Sequence, residues 1–243
     1  MNSGTFYAIG VGPGDPELLT LKAIRLLQES HSIYVPVSRL STQTWVADVV
    51  EMYAGEGARV QTVSFSLGAD RQERQEHWRQ TAIEIIEQLR SGRDVAFVSL
   101  GDPLLYSTCV YLLRALQEQW PQIPAEIVPG ISAYAHCAAL TGFAVGEGDQ
   151  PVAILPTVTA MQDIRSALQR GGTLVLMKIG RHLADIIDLL EENGLLEQAV
   201  FVARAGLSDQ RIETDLNNLR GAEATAGNLA VILVDATQRK TII

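Results

Sequence analysis

Along the first half of the chain, short apolar runs give way to turns of small residues and then to stretches whose apolar positions recur every three or four residues. The apolar runs predict strands over 5–9, 32–37, 59–65, 94–100 and 125–128. Between and after them, helices are predicted near 20–30, 44–54, 70–89, 104–119 and 132–140. In the segment 70–89, Trp78, Ala82, Ile85 and Leu89 form one apolar stripe at helical spacing, and Ser91-Gly92 ends it. The helix predicted from Leu104 carries Leu105, Cys109, Leu112, Leu113 and Leu116 on its inner side. Asp94 to Leu100 (DVAFVSL) is apolar almost throughout, as in a parallel strand buried on both faces.

After a polar, glycine-containing stretch at 146–151, a second set of strands is predicted over 152–155, 173–178, 199–203 and 229–234, with helices near 160–170 and 182–192. This alternation reads as α/β, in two domains meeting near Val128: residues 1–128 and 129–243. No internal repeat or low-complexity segment interrupts it.

Charge and composition narrow the function. The 243 residues carry 19 Lys+Arg against 28 Asp+Glu, a net charge of −9, with no run of like charges that would track a nucleic-acid backbone. No stretch approaches the roughly 18 consecutive apolar residues of a membrane span, and Met1 to Asp15 lacks the pattern of a secretory leader. A soluble cytoplasmic protein is expected. Cys109 and Cys137 lack metal or redox spacing and read as reduced core thiols, and His31, His77, His136 and His182 show no paired spacing, so no metal site is expected.

Three strand-to-helix turns carry candidate chemistry. GVGPGDPELLT (Gly10 to Thr20) sets three glycines at alternate positions before Asp15-Pro16. A dinucleotide fingerprint needs a different third-glycine spacing and an acidic ribose anchor at the end of the second strand, where Val35-Pro36-Val37-Ser38 stands instead. No phosphate loop and no G-x-S-x-G elbow occurs. The bland alternative is a tight turn capped by Asp15. SLGDPLLYST (Ser99 to Thr108) places Gly101 and Asp102 where open parallel sheets bind ligands, and Asp102 is either a hydrogen-bond acceptor for a ligand or a helix cap. EIVPGISAY (Glu126 to Tyr134) runs a strand through Pro-Gly into Ser132. Together they suggest a shared crevice without naming its ligand.

At these residues the chain resembles the tetrapyrrole (corrin and porphyrin) methylase family, which uses S-adenosyl-L-methionine. The similarity runs through GVGPGDPELLTLKA, VSLGDPLLYST, EIVPGISAY, LVLMKIG (Leu174 to Gly180) and ARAGLSDQ (Ala203 to Gln210), in that order. SIYVPVSR (Ser32 to Arg39), GDPLLYST and LVLMKIGR look most like the branch that methylates carbon 20 of precorrin-2, or of cobalt-precorrin-2, in cobalamin synthesis. The resemblance implies two α/β domains with the cofactor in the cleft between them, in a homodimer. It places cofactor contacts at Pro13, Leu100, Gly101, Asp102, Leu105, Ser132, Ala133, Met177 and Ala205. Taken alone, Met177 reads as core.

Uroporphyrinogen methylases of the family carry an acidic residue and an arginine where the second strand ends. Here the sequence is Val35-Pro36-Val37-Ser38-Arg39, which argues against that substrate and transfers no general base. Methyl transfer from a sulfonium chiefly requires in-line placement at about 3–3.5 Å. Tyr106, one helical turn from Asp102 in the predicted helix, is the candidate for orienting the macrocycle or relaying the departing proton. Arg39, then Lys178 and Arg181, are candidates for the substrate carboxylates. The rivals are a nicotinamide oxidoreductase, which lacks its acidic anchor here, a non-catalytic tetrapyrrole carrier, and a sibling methylase acting on another ring carbon or on a protein or RNA.

Overall fold

The apolar runs become the strands of two separate sheets. The computed structural model describes residues 3–38, 45–65, 70–157, 161–223 and 225–237, and the chain divides into two compact units, residues 1–132 and 133–243.

The first unit runs β1 (Phe6–Gly10), α1 (Leu21–Glu29), β2 (Ser32–Ser38), α2 (Trp45–Tyr53), β3 (Arg59–Phe65), α3 (Arg71–Arg90), β4 (Val95–Ser99), α4 (Cys109–Gln119) and β5 (Ala125–Val128). All of its strand pairs are parallel, in the order β3-β2-β4-β1-β5. Because successive side chains on a strand point to opposite faces, Phe6, Ala8, Val95 and Phe97 pack with α3 and α4, while Ile9, Ala96 and Val98 pack with α1 and α2. Both faces are covered, so β4 is buried at every position, as its unbroken apolar sequence predicts. Local signals start the helices as read: the Thr20 hydroxyl accepts from Ala23 N at 3.1 Å, and the Asp70 carboxylate caps α3 through Gln72 N.

The second unit runs α5 (Ala133–Thr141), β6 (Val152–Pro156), α6 (Met161–Arg170), β7 (Thr173–Met177), α7 (Leu183–Glu192), β8 (Ala199–Ala203), β9 (Arg211–Glu213) and β10 (Ala230–Asp235). Its sheet order is β6-β7-β10-β8-β9, with β6 and β7 parallel and β10 antiparallel to both of its neighbours. Helices α6 and α7 pack one face, where Leu176, Phe201 and Ile232 are fully buried. On the other face α5 packs through Cys137 against Val175, Val202 and Val231.

Several sequence expectations require correction. The helix predicted from Leu104 begins at Cys109, because Gly101 (φ 70°) and Tyr106 (φ 51°) both take left-handed backbone and residues 101–108 form a loop. Leu105 therefore lies outside the helix, and Tyr106 is not one helical turn from Asp102. Asp15 caps only a single 3-10 turn, Pro16–Leu18, and Thr20 caps the α-helix proper. Strand β9, at three residues, is too short to leave a periodic signal in the sequence. The predicted helix starts at Thr44 and Ala160 lie outside the described residues.

Both thiols are buried, and burial pushes each pKa up to about 12. They should therefore stay unmodified by a thiol reagent at pH 8 in the native protein and react fully in denaturant, as a colorimetric thiol count would show. Folding keeps these groups neutral, so they support stability below their ordinary pKa of 9.0, and that support falls away as pH rises from there toward about 12. Phe97 has no exposed surface and packs edge-on against Trp78, with ring centroids 6.2 Å apart. Phe97→Ala should cost about 3–5 kcal/mol in urea denaturation.

Candidate functional site

The strand order fixes where the first unit can bind a ligand. From β1 the chain crosses to β2 by way of α1, whereas from neighbouring β4 it crosses to β5 by way of α4 on the opposite face. Adjacent strands that send their connections to opposite faces leave a crevice at their carboxyl ends. The glycine loop after β1, the GDP loop after β4 and the Pro-Gly turn after β5 meet at this edge.

They meet backbone to backbone. Val11 N donates to Ser99 O at 2.9 Å, continuing the parallel β1–β4 pairing, and Gly101 N donates to Gly12 O at 2.6 Å in an isolated antiparallel bridge between the two loops. A methyl group on Gly130 would overlap the Gly101 carbonyl and the Gly10 backbone, so only glycine lets the three loops close. The Asp102 carboxylate ties them together. Its Oδ1 accepts from Leu104 N at 2.8 Å, and its Oδ2 accepts from Gly130 N at 3.2 Å. The helix-cap reading and the ligand reading of Asp102 are thus not exclusive, since each carboxylate oxygen keeps a further lone pair. The GDP loop is anchored back to its strand by the Ser99 and Ser107 hydroxyls, 2.7 Å apart, and Ser107 accepts from Cys109 N at 3.0 Å to start α4.

Around this junction lie Pro13, buried between Gly12 and Gly14, and half-buried Leu100, Leu105 and Ser132. The Ser132 hydroxyl has no hydrogen-bond partner among the described residues. Tyr106 is 36% exposed, and loss of water around its phenol raises its pKa, so the hydroxyl stays protonated through the neutral range. Its left-handed backbone is uncommon for a bulky residue, and such conformations concentrate at functional sites.

The second unit gathers the remaining candidates at one end of its sheet. Because β10 runs antiparallel, its first residues lie beside the last of β7 and β8, with Val231 opposite Met177 and Ala230 opposite Ala203. Lys178, Arg204 and Leu229, which flank these strand ends, all have left-handed backbone (φ 55°, 50° and 49°). Arg204 N donates to Leu229 O at 2.9 Å, and the buried Thr157 holds the Lys178 carbonyl through its hydroxyl at 2.7 Å. Ala133, Met177 and Ala205 pack into one apolar cluster on the α5 face.

Lys178 is exposed and has no ion-pair partner among the described residues, and partial desolvation of its ammonium lowers its pKa from 10.5. Arg181 is exposed on a short 3-10 turn, and Arg39 lies outside the described residues. Thr157, Arg204 and Leu229 escaped the sequence reading, because their places depend on strand pairings between distant segments. The arrangement suits a neutral or cationic ligand: GVGPGDPELLT and SLGDPLLYST hold carboxylates and no lysine or arginine to receive a phosphate. Among the described residues no cluster of three His, Cys, Asp or Glu is placed to hold a metal.

Residues 5–219 match the family model for tetrapyrrole (corrin/porphyrin) methylases. The chain belongs to this family.

Among curated members, a cobalt-precorrin-2 C(20)-methyltransferase of Salmonella typhimurium is 32% identical over 210 residues, 86% of this chain and 87% of the relative. A precorrin-2 C(20)-methyltransferase of a Sinorhizobium species is 30% identical over 85% of this chain and 86% of its own. The fold matches a solved cobalt precorrin-4 methyltransferase at TM-score 0.71 and 23% identity, over 95% of this chain and 94% of that one. It also matches a uroporphyrin-III C-methyl transferase of Thermus thermophilus complexed with S-adenosyl homocysteine, at TM-score 0.66 and 23% identity, over 96% and 97%. In this methylase, Asp102→Ala removes the acceptor of the part-buried Gly130 amide and the exposed Leu104 amide and should cost about 1 kcal/mol in thermal or urea unfolding.

Proposed function

We propose that this methylase adds a methyl group from S-adenosyl-L-methionine to carbon 20 of precorrin-2 or cobalt-precorrin-2 in cobalamin synthesis. The observation that carries the reading is the glycine-built junction around Asp102, free of lysine and arginine, in a chain about 30% identical to curated precorrin-2 C(20)-methyltransferases.

When bound, the cofactor supplies a methyl group already activated on a sulfonium, so the protein's work is placement. The spare lone pairs of Asp102 accept from ligand hydroxyls or the amino group, and its charge favours a cationic ligand. Gly101 leaves room for close approach, with Pro13, Leu100 and Leu105 as apolar walls and the Ser132 hydroxyl as a further polar contact. Ala133, Met177 and Ala205 offer small and polarisable surface to the cofactor's apolar parts. Tyr106, kept protonated, donates a hydrogen bond that orients the macrocycle, which suits its phenol better than proton abstraction.

Lys178 and Arg181, joined by Arg39, pair with the substrate's carboxylates. The same family reading makes residues 1–128 and 129–243 its domains and the protein a cytoplasmic homodimer, which sedimentation would check.

Calorimetry with S-adenosylhomocysteine should show binding, and mass spectrometry should show one methyl added to precorrin-2 or to its cobalt form. Methylation of neither, with cofactor binding intact, would shift the reading to a sibling methylase, and no cofactor binding would overturn it. Asp102→Ala and a bulky replacement of Met177 should each weaken S-adenosylhomocysteine by about tenfold or more, the loss of one charged hydrogen bond or a filled contact. Lys178 holds carboxylates only while protonated, and its pKa lies below 10.5, so KM for the macrocycle should begin to rise at a pH below that value. Lys178→Ala should abolish that rise.

A further inference from the structure

Away from the glycine junction, α3 and α4 leave a groove of about 1040 Å³ on the first unit, lined by Arg71, Arg74, Arg79 and Arg114 together with Trp78 and Tyr111. Its volume stands at the upper end of small-molecule sites. Arg71, Arg74 and Trp78 follow at helical spacings of three and four along α3, and Tyr111 and Arg114 at three along α4, so each set shares a helix face. Both helices begin beyond the carboxyl ends of their preceding strands, so the Arg71 and Thr108 end of the groove opens at the same sheet edge as Asp102 and Tyr106.

The charges in the groove are unequal in their commitments. Arg79 is spent on Glu76, donating two hydrogen bonds of 2.7 Å that hold the Glu76 carboxyl at about 2. Arg71 and Arg114 have no ion-pair partner among the described residues. Tyr111, which lines the same groove, is 57% exposed. In a chain of net charge −9, four arginines against two glutamates, with two of the guanidiniums outside any ion pair among the described residues, line this groove with an exposed aromatic ring and form a local site for an anion with a flat apolar body.

We propose that this groove docks the acidic rim of the tetrapyrrole, with Arg71 and Arg114 pairing its carboxylates and Tyr111 lying against the ring. The proposal rests on the reading that the chain methylates a tetrapyrrole, and adds to it the surface that selects a polycarboxylate.

The test uses the whole chain with Arg71→Ala and Arg114→Ala combined, two exposed positions whose truncation leaves the core intact. S-adenosylhomocysteine affinity should stay at the wild-type value, while KM for precorrin-2 rises about tenfold or more, with the loss in KM rather than kcat. The fall of kcat/KM with added salt should flatten, and the double lysine variant should recover part of the loss.

Titration with uroporphyrin, an octacarboxylate macrocycle, reads docking without turnover and should weaken in the double alanine variant. Unchanged KM, salt dependence and uroporphyrin affinity would overturn the proposal, as would an oligonucleotide that displaces uroporphyrin from the wild type. If the wild type methylates neither form of precorrin-2, the precorrin-2 reading falls alone. The uroporphyrin titration still decides the groove: weaker binding in the variant upholds it, and equal binding overturns it.

Discussion

The candidate site of the first unit depends on three loops approaching one another more closely than any side chain would permit. Gly10, Gly101 and Gly130 bring their backbones into contact, and the Asp102 carboxylate takes the amides of Leu104 and Gly130. The Gly130 amide is part-buried and costly to leave without an acceptor, so Asp102 holds the junction before any ligand arrives. That preorganisation also sets its chemistry, because a carboxylate fixed by two backbone donors presents its remaining lone pairs in fixed directions. The left-handed turns at Gly101 and Tyr106 then delay α4 until Cys109 and leave residues 101–108 as a loop at the sheet edge.

A different device serves the second unit. Placing β10 antiparallel between β7 and β8 brings one strand's start beside two strand ends, and left-handed residues collect there at Lys178, Arg204 and Leu229. Each conformation costs free energy for a residue with a side chain, and tertiary hydrogen bonds offset it: Thr157 on the Lys178 carbonyl, Arg204 N on Leu229 O. Beneath them the apolar cluster on the α5 face keeps Met177 and Ala205 in place.

Charge is divided in the same spirit. The acidic chain keeps lysine and arginine out of its glycine and GDP loops, where a sulfonium is the proposed guest. It gathers arginines instead along α3 and α4, where the proposed guest is an anion. The proposed discrimination between a cationic cofactor and an acidic macrocycle rests on that separation.

The sequence by itself determined the strands and helices whose signals are local. The stripe from Trp78 to Leu89 made α3, the unbroken DVAFVSL run made a fully buried β4, and Thr20 and Asp70 announced the helix starts. It also carried the ordered loop motifs that mark the family. What it did not determine rests on contacts between distant residues. The late start of α4, the short β9, the two amides gathered by Asp102 and the support of Lys178 by Thr157 all need strands brought together from far along the chain. Only the tertiary structure decided them, because periodicity reports which face of an element is apolar, whereas backbone closeness and hydrogen-bond partners are properties of the assembled sheets.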